Sequence, residues 1–365
     1  MSRLTRIFAA AAMLLLVACE GKEPLYQEQG YVFGTLVEIS VYGESEQTAR
    51  QAVSEVMQEF QRLHNMLHAW QPSELSELNA AFARNDSAAI SAELGAILQD
   101  ATVLSQQSQG LFNPAIGGLV QLWGFHADDI KSVQPDDKQI AQWVAANPQM
   151  RDIKIVHGRA QSKNKFVQVD LGGYAKGYAL DRAADLMLKH GIHNALINIG
   201  GNVLALGRHG KRAWRIGIQH PRKPGALATL ELHDGEAIGT SGDYQRYFMV
   251  GNVRFCHLIN PYSGYPMQGV QSVTVLIKPL AIRPGEQTAL AKSQVITSGT
   301  HAGVLSDVAS KPLFIAGVLG WKVAASRMNV SEAMLVDGQG IVHLTSELQK
   351  RLEFTDKNLR PQVEP

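Results

Sequence analysis

Short segments typical of β-strands follow one another closely in the second half of the chain, and this succession constrains the fold most. They cover residues 195–199, 203–206, 214–219, 228–232, 246–250, 253–259 and 272–277. Gly251-Asn252 separates two of them and is typical of a β-hairpin turn. Strands joined as hairpins, rather than alternating strictly with helices, favour an α+β fold over a doubly wound sheet. We therefore predict mixed or antiparallel sheets packed by helices.

Helical patterns dominate the first half of the chain. Apolar spacing predicts helices over residues 45–68, with Ser45 as the N-cap, and over residues 91–108. A third helix should open at Asp136 and close at Asn147-Pro148. These helices supply apolar faces that can cover a sheet.

Three further segments complete the predicted fold. Residues 31–42 alternate loosely and predict one strand, interrupted at Gly34. Residues 167–170 predict a short strand that runs through two glycines into a helix ending near residue 190. A helix followed by two strands is predicted over residues 313–345.

Composition excludes several classes of protein. The chain has 365 residues, 45% of them hydrophobic and 18% charged, which is ordinary for a globular protein. Lys and Arg total 34 and Asp and Glu total 33, giving a net charge of +1. Such a balance is a poor basis for neutralising phosphates, so we expect no nucleic-acid partner. Cys19 and Cys256 are the two cysteines and exclude a disulfide scaffold.

The N-terminal segment predicts export and lipid attachment. Arg3 and Arg6 precede an apolar run over residues 7–17, which is too short to span a bilayer and suits a signal peptide. The run ends in Leu16-Val17-Ala18-Cys19, which resembles a bacterial lipobox, so Cys19 is the predicted lipidation site. The alternative is an ordinary signal peptide with a chance cysteine. We expect a periplasmic protein with a lipid anchor in the inner membrane.

These features divide the chain into predicted parts. Residues 1–18 form the lipoprotein signal peptide and residues 19–30 a tether. The folded domain covers residues 31–359, with an inserted loop at about 278–305 where the sequence is polar and punctuated by Gly and Pro at both ends. Residues 360–365 are a predicted disordered tail.

Common catalytic motifs are absent from the sequence: it contains no Walker A loop, no G-x-G-x-x-G after a strand, no G-x-S-x-G and no zinc spacing of His and Cys. Four segments instead concentrate glycine, polar and aromatic residues. They cover residues 69–79, 108–125, 169–181 and 240–266.

Each segment admits a functional and a structural interpretation. Trp70 could form an aromatic wall for a flat ligand or be a core residue. The helix start after Asp170 could hold a phosphate near Lys176, or Asp170 could be its N-cap. His257 lies at the end of a predicted strand, beside a turn rich in Pro and Gly, and is a candidate general base or a satisfied structural histidine. The hairpin should bring the turn at residues 241–243 near His257.

Taken in order, these segments resemble the ApbE family, the FAD:protein FMN transferases. The most specific combination is Asp170-Leu171-Gly172-Gly173-x-Ala175-Lys176-Gly177-Tyr178 with His257-x-Ile259-x-Pro261-x-x-Gly264-x-Pro266. The resemblance implies an ApbE-like, T-fold-related architecture. It also implies transfer of the FMN half of FAD to a Thr or Ser hydroxyl of a flavoprotein, with AMP leaving and Mg²⁺ assisting.

The resemblance also assigns roles to individual residues. His257 is the catalytic residue near the transferred phosphate. Gly173, Asp307 and Ser310 form the implied metal site, Ser310 as a substitute for a missing threonine. The implied FAD-binding residues are Phe33, Trp70, Ala115, Ile116, Gly117, Asp170, Lys176 and Ile259.

One departure from the family pattern concerns the metal. The family usually has Asp-x-x-x-Thr, whereas Lys311 stands four residues after Asp307 and Pro312 follows it. A cation at this position is expected to repel Mg²⁺ or to replace part of its charge. Pro312 is expected to kink a helix begun at Asp307.

Three functions follow as alternatives. The first is an active transferase that serves a membrane flavoprotein acceptor of respiratory or nitrous-oxide-reduction type, since one branch of the family has an accessory role in nitrous-oxide respiration. The second is an FAD-binding accessory lipoprotein without turnover, with a metal site degraded at Lys311. The third is an FAD pyrophosphatase that releases free FMN.

Overall fold

A computed structural model describes residues 25–127, 129–132, 134–279 and 302–364. Within this part of the chain, nine strands form one sheet in the order β1-β2-β6-β7-β10-β13-β14-β15-β17. Every neighbouring pair in it is antiparallel except β15 and β17. Its strands are β1 Leu25–Val32, β2 Thr35–Tyr42, β6 Ala195–Ile199, β7 Asn202–Leu206, β10 Ala237–Gly242, β13 Val270–Ile277, β14 Glu332–Asp337, β15 Val342–Thr345 and β17 Gln362–Glu364.

Three smaller sheets lie outside this nine-stranded sheet. Their orders are β3-β5-β4, β16-β9-β8 and β11-β12, the last being the hairpin predicted at Gly251-Asn252. Their strands are β3 Ser87–Ala89, β4 Ile153–Val156, β5 Arg159–Ser162, β8 Trp214–Gln219, β9 Ala226–Leu232, β11 Tyr247–Val250, β12 Val253–Cys256 and β16 Glu353–Phe354. The predicted α+β class is confirmed.

The predicted helices begin and end close to their expected caps. Ser45, Ser91 and Asp136 each accept a hydrogen bond from a first-turn amide, and Asn147 closes its helix in the left-handed conformation. The helices are α1 Glu46–Leu67, α2 Glu74–Ala83, α3 Ala92–Gln107, α4 Gly117–Leu122, α5 Asp137–Ala146, α6 Ala175–Lys189, α7 Ala302–Arg327 and α8 Ser346–Gln349, with a 3₁₀ turn at Met150–Asp152.

The large sheet is covered on both faces. Helices α1, α6 and α7 pack on one face, where alternate strand residues such as Ile197 and Val275 enter the main apolar core. The neighbouring residues Leu196 and Leu276 belong to a second core, shared with Trp214 and other residues of the β8-β9-β16 sheet. The two-residue period of each strand therefore divides its side chains between two cores.

Several predicted boundaries are wrong. Residues 31–42 form a hairpin rather than one strand: Phe33 and Gly34, both at positive φ, make a two-residue turn between β1 and β2. The predicted tether contains most of β1, because Leu25 onward pairs with β2. The predicted disordered tail contains β17, which pairs with β15. The insertion ends earlier than expected, because α7 begins at Ala302. Cys19 and residues 280–301 lie outside the described residues.

Helix α7 continues through Pro312, contrary to the expected kink there. The break in the helical backbone comes at Gly317, with φ of 66° and ψ of −175°. Among the described residues, α7 alone is long and apolar enough to cross a membrane, but 72% of its most apolar window is buried inside the protein. The apolar character of α7 thus reflects its place in the core.

Candidate active site

Glycines bring the first turns of α6 and α7 into direct contact. A Cβ atom added to Gly177 would lie 2.4 Å from the Gly303 carbonyl oxygen, so no larger residue fits this crossing. The buried carboxylate of Asp181 accepts hydrogen bonds from the amides of Gly303 and Val304, at 2.8 and 2.9 Å. These contacts fix the start of α7 on α6 and place Asp307 beside the start of α6.

Asp307 is fully buried and lies between two lysines. Its Oδ2 accepts the Gly177 N–H at 3.0 Å, and its Oδ1 accepts a short hydrogen bond from Lys311 Nζ. Lys176 Nζ lies 3.8 Å from the same Oδ1. Burial acts to raise the pKa of Asp307, but the two lysine charges outweigh it and lower the pKa to about 2. Asp307, Lys176 and Lys311 are called the Asp307 cluster below.

Lys311 is held tightly within this cluster. Its side chain is 13% exposed, and its Nζ also donates to the Asp307 main-chain oxygen at 2.6 Å. Burial lowers the pKa of Lys311 to about 8, against the opposing effect of Asp307. Its Cε lies 3.0 Å from the position that a Cβ of Gly173 would occupy. The side chain therefore fills the space between Asp307 and Gly173.

His257 directly follows strand β12, which ends at Cys256 rather than at the predicted residue 259. Its Nδ1 lies 3.2 Å from the Arg246 carbonyl oxygen. Because a carbonyl only accepts, the neutral ring carries its proton on Nδ1 and leaves Nε2 as a proton acceptor. Burial lowers the pKa of His257 to about 3, and the charges of Lys176 and Lys311 act in the same direction. His257 thus shares one electrostatic environment with both lysines.

Asp170 belongs to the same environment, but its segment is not the strand expected. Residues 167–170 form one bridge, in which Gly117 N–H donates to the Gln168 carbonyl at 2.7 Å. On the other side, the Asn79 amide exchanges two hydrogen bonds with the Val169 backbone. Asp170 is not a helix N-cap: its Oδ1 accepts from Gly172 N–H at 2.8 Å. Burial raises the pKa of Asp170, although Arg246, His68 and Lys176 act to lower it.

The start of α6 is the predicted phosphate site, and two of its amides already have partners. The amides of Gly172 and Gly177 already donate to the carboxylates of Asp170 and Asp307. The cationic group available at this end is the ammonium of Lys176, which is 25% exposed and donates to the Gly172 carbonyl at 3.3 Å. Lys176 thus adds a partly exposed positive charge at this end of the helix.

The residues implied for the metal do not fit Mg²⁺ as they are arranged. Mg²⁺ requires oxygen ligands in near-octahedral geometry. Both carboxylate oxygens of Asp307 accept hydrogen bonds, and Ser310 Oγ bonds to the Asp307 main-chain oxygen and to Ser241 Oγ. The Lys311 stem stands against Gly173. In the described parts of the chain, no three His, Cys, Asp or Glu side chains are grouped as a metal site.

Aromatic side chains lie at the positions expected to hold a flat ring. Phe33 contacts His64, with ring centroids 5.8 Å apart, and Trp70 contacts His126 at 5.4 Å. The amides of Trp70 and Gln71 donate to His68 Nδ1, so His68 holds this turn. These aromatic residues are partly buried and partly open.

Four predicted FAD-binding residues remain, namely Ala115, Ile116, Gly117 and Ile259. Ala115 and Gly117 are bridged to Gln168. Ile116 and Ile259 place their side chains in a third apolar cluster around Trp123, so their side chains serve packing. Asp243 does not face His257 as a partner, because it forms ion pairs with Arg222 and Arg254.

Three residues in this region carry roles that the sequence did not reveal. Asn79 fixes the Asp170 segment, Arg246 bonds His257 through its carbonyl, and His126 packs on Trp70. All lie inside or beside the four segments noted above. No spacing rule distinguishes them from ordinary polar residues, since each acts through a partner distant in sequence.

The family model for the ApbE family matches residues 33–335, and the chain belongs to this family. A Rhodobacter capsulatus protein named FAD:protein FMN transferase is 39% identical over 91% of this chain. The matched part covers 59% of that protein's own length. A Haemophilus influenzae protein of the same name is 28% identical over 78% of this chain and 85% of its own length.

Solved structures show the same fold. The ApbE protein of Thermotoga maritima superposes with a TM-score of 0.77 at 25% identity, covering 90% of this chain and 99% of that one. The flavinyl transferase ApbE of Pseudomonas stutzeri gives 0.75 at 23% identity, covering 91% and 98%. The predicted ApbE-like architecture is therefore confirmed.

Proposed function

We propose that this protein transfers the FMN half of FAD to a Thr or Ser hydroxyl of a flavoprotein and releases AMP. The proposal rests on the family and its named transferases. The observation that carries it is a buried histidine, His257, with Nδ1 directed at a carbonyl and a pKa that burial and the charges of Lys176 and Lys311 lower. That combination suits attack by a hydroxyl on a diphosphate.

The charges of the site favour a diphosphate ligand. Lys176 and Lys311 share the single carboxylate of Asp307. Their surplus charge can stabilise phosphoryl oxygens as negative charge moves between them during transfer. The aromatic side chains of Phe33 and Trp70 both pack, partly buried, against the main apolar core and can contact a flavin ring.

His257 supplies the proton acceptor. The acceptor hydroxyl forms a bond from its oxygen to the FMN-side phosphorus, and the bond from that phosphorus to the bridging oxygen breaks. AMP leaves with the bridging oxygen, and the hydroxyl proton passes to Nε2 of His257. A pKa of about 3 makes His257 a weak base in the free site. An anionic diphosphate raises the pKa of a neighbouring imidazole, so His257 becomes a stronger base when the substrate binds.

Mass spectrometry of a candidate acceptor tests this proposal. Incubation with FAD should add FMN to the acceptor, and substitution of the acceptor threonine by valine should abolish the adduct. His257→Ala should slow transfer by about 10²- to 10⁴-fold, the usual contribution of a general base. His193→Ala, on an exposed histidine, is the matched control.

Each competing function gives a different product. Bound FAD without an adduct under any condition identifies a flavin carrier. Free FMN released without acceptor identifies a pyrophosphatase. Transfer that persists at the normal rate in His257→Ala contradicts the role of His257.

We further propose a periplasmic location, with lipid on Cys19 and a membrane flavoprotein as acceptor. The support is the N-terminal sequence Leu16-Val17-Ala18-Cys19 after an apolar run. Cell fractionation tests it: the intact protein should sediment with membranes, and Cys19→Ala should move it to the soluble periplasmic fraction. Recovery of Cys19→Ala with the membranes contradicts a lipid anchor at this residue.

A further inference from the structure

The carboxylate and main-chain oxygen atoms of Asp307 already accept hydrogen bonds from protein donors. Lys311 Nζ and Gly177 N–H bond the two carboxylate oxygens. Ser310 Oγ and Lys311 Nζ both donate to the Asp307 main-chain oxygen, at 2.8 and 2.6 Å. A divalent ion at this carboxylate must therefore displace an ammonium group.

Displacement of that ammonium is costly because of its surroundings. The Lys311 side chain is 13% exposed, and Asp307 is 1% exposed. The Lys311 stem lies against Gly173, and its nitrogen has two bonds to Asp307. A divalent ion would leave the displaced ammonium buried beside a second cation and without its carboxylate, an arrangement that low-dielectric interiors disfavour strongly.

The position of Lys311 also suits the chemistry that a metal would serve. A lysine ammonium clamps phosphoryl oxygens through up to three N–H donors and offsets the same negative charge. The Lys311 ammonium donates two hydrogen bonds to Asp307, which leaves one N–H free. Lys176 Nζ lies 3.8 Å from Asp307 Oδ1. The protein therefore holds two positive charges at this position, where they can contact phosphoryl oxygens.

We propose that the Lys311 ammonium, seated on Asp307, is the resident cation of this site, and that flavin transfer here needs no divalent metal ion. The part concerning transfer rests on the function proposed above. The part concerning metal binding rests on the Asp307 cluster alone, so the two can be tested separately.

The first experiment measures transfer with and without metal. Wild-type protein should transfer FMN at the same rate in excess EDTA as with added Mg²⁺. Lys311→Thr, which supplies a hydroxyl in place of the ammonium, should lose at least about tenfold in EDTA, the loss expected from about 1.4 kcal/mol of transition-state stabilisation. Mg²⁺ should restore much of that rate. Lys154→Thr on the exposed side of β4 controls for a general effect of losing a lysine.

The second experiment measures metal binding without turnover. Electron paramagnetic resonance of Mn²⁺ should show no binding to the wild-type protein at about 1 mM and binding to Lys311→Thr. Circular dichroism establishes that the variant is folded, and the wild-type measurement does not depend on it.

The outcomes separate the inference from the function. Wild-type transfer that stops in EDTA and returns with Mg²⁺ overturns the inference and leaves the function standing. Absence of transfer under every condition contradicts the proposed function, and the Mn²⁺ measurement still decides the inference. Wild-type binding of Mn²⁺ that Asp307→Asn abolishes overturns it.

Discussion

Two clusters of charge with buried carboxylates adjoin the two ends of strand β10, and they differ in their balance of acids and bases. At one end Arg351 bonds both Glu236 and Glu332, and Lys278 bonds Glu332 at 2.6 Å. At the other end Ser241 contacts Ser310 beside the Asp307 cluster. The first, here called the Glu236 cluster, pairs two acids with two bases. The second pairs one acid with two bases.

This difference in balance separates a structural cluster from a binding site. Arg351 donates to Glu236 at 2.7 and 3.1 Å and to the Glu231 carbonyl at 2.7 Å, so its charge is used within the protein. Two ammonium groups cannot both be neutralised by the single carboxylate of Asp307. The surplus positive charge is stabilised when an anion binds. The two ammonium groups around the one carboxylate of the Asp307 cluster therefore favour an anionic ligand there.

Removal of the central cation of the Glu236 cluster should have the largest effect on stability. Arg351→Met leaves Glu236 and Glu332 buried without the guanidinium that bonds both of them. Breaking a buried pair typically costs about 3–5 kcal/mol, and we expect a loss of this size in urea unfolding. Arg215→Met is the control, because its pair with Glu353 is mostly exposed and should change stability by less than about 1 kcal/mol.

The pH dependence of the same cluster follows from its carboxyl group. Burial acts to raise the pKa of Glu236, but the bonds from Arg351 outweigh it and the pKa is lowered. A depressed acid pKa gives stability that is present above the ordinary value and lost as pH falls through the folded value. Arg351→Met should therefore remove part of the acid destabilisation of the wild type. Unchanged stability of Arg351→Met at neutral pH would break the contrast between the two clusters.

Removal of one cation from the Asp307 cluster should act on binding instead. Lys176→Met leaves Asp307 paired with Lys311, so stability should change little. Titration calorimetry should show FAD binding weakened by about 10- to 100-fold, because a charge-assisted contact to phosphate contributes about 1.5–3 kcal/mol. The salt dependence of binding should also become shallower. Lys189→Met, on an exposed lysine, is the matched control, and equal FAD affinity in both variants contradicts a phosphate contact at Lys176.

The fold was largely accessible from the sequence where local patterns determine it. Ser45, Ser91 and Asp136 cap the helices expected of them, and Gly251-Asn252 turns the expected hairpin. The errors fall where pairing partners are distant. β17 is stabilised by β15, and neither its three residues nor their composition indicate a strand. Phe33 adopts positive φ in a hairpin turn, which is uncommon for a bulky residue.

The site shows the same limit. The sequence identified Asp170, Lys176, His257 and Asp307 through a family motif, and it identified Lys311 as a departure. Lys311 pairs with Asp307 one turn away on α7, but the sequence could not show that Lys176 reaches the same carboxylate, because this depends on how Gly177 and Gly303 bring α6 and α7 together. It also left Ser310 as a metal ligand, whereas the β10 residue Ser241 turns out to be its partner. Contacts between helix and strand, unlike caps and turns, are fixed by the assembled fold.

The smallest effect we expect is a change in the titration of His257 rather than in rate or stability. An unperturbed histidine has a pKa of about 6.5, whereas burial and the neighbouring lysines lower the pKa of His257 to about 3. Nitrogen NMR of the free protein should therefore show a neutral ring, with the proton on Nδ1, throughout pH 5–8. Since the folded pKa is depressed, the unfolded chain takes up the proton first, and His257 destabilises the fold as pH falls below about 6.5.

Inorganic pyrophosphate turns this measurement into a test of the charge surplus. Bound beside Lys176 and Lys311, it opposes their effect and should raise the pKa of His257, while sulfate at equal ionic strength controls for screening. In Lys176→Met the free-state pKa should already lie higher, because one of the lowering charges is gone. A ring that is protonated at pH 6 without ligand, or a pKa that pyrophosphate leaves unchanged, would separate His257 from the two lysines and remove the base from the proposed reaction.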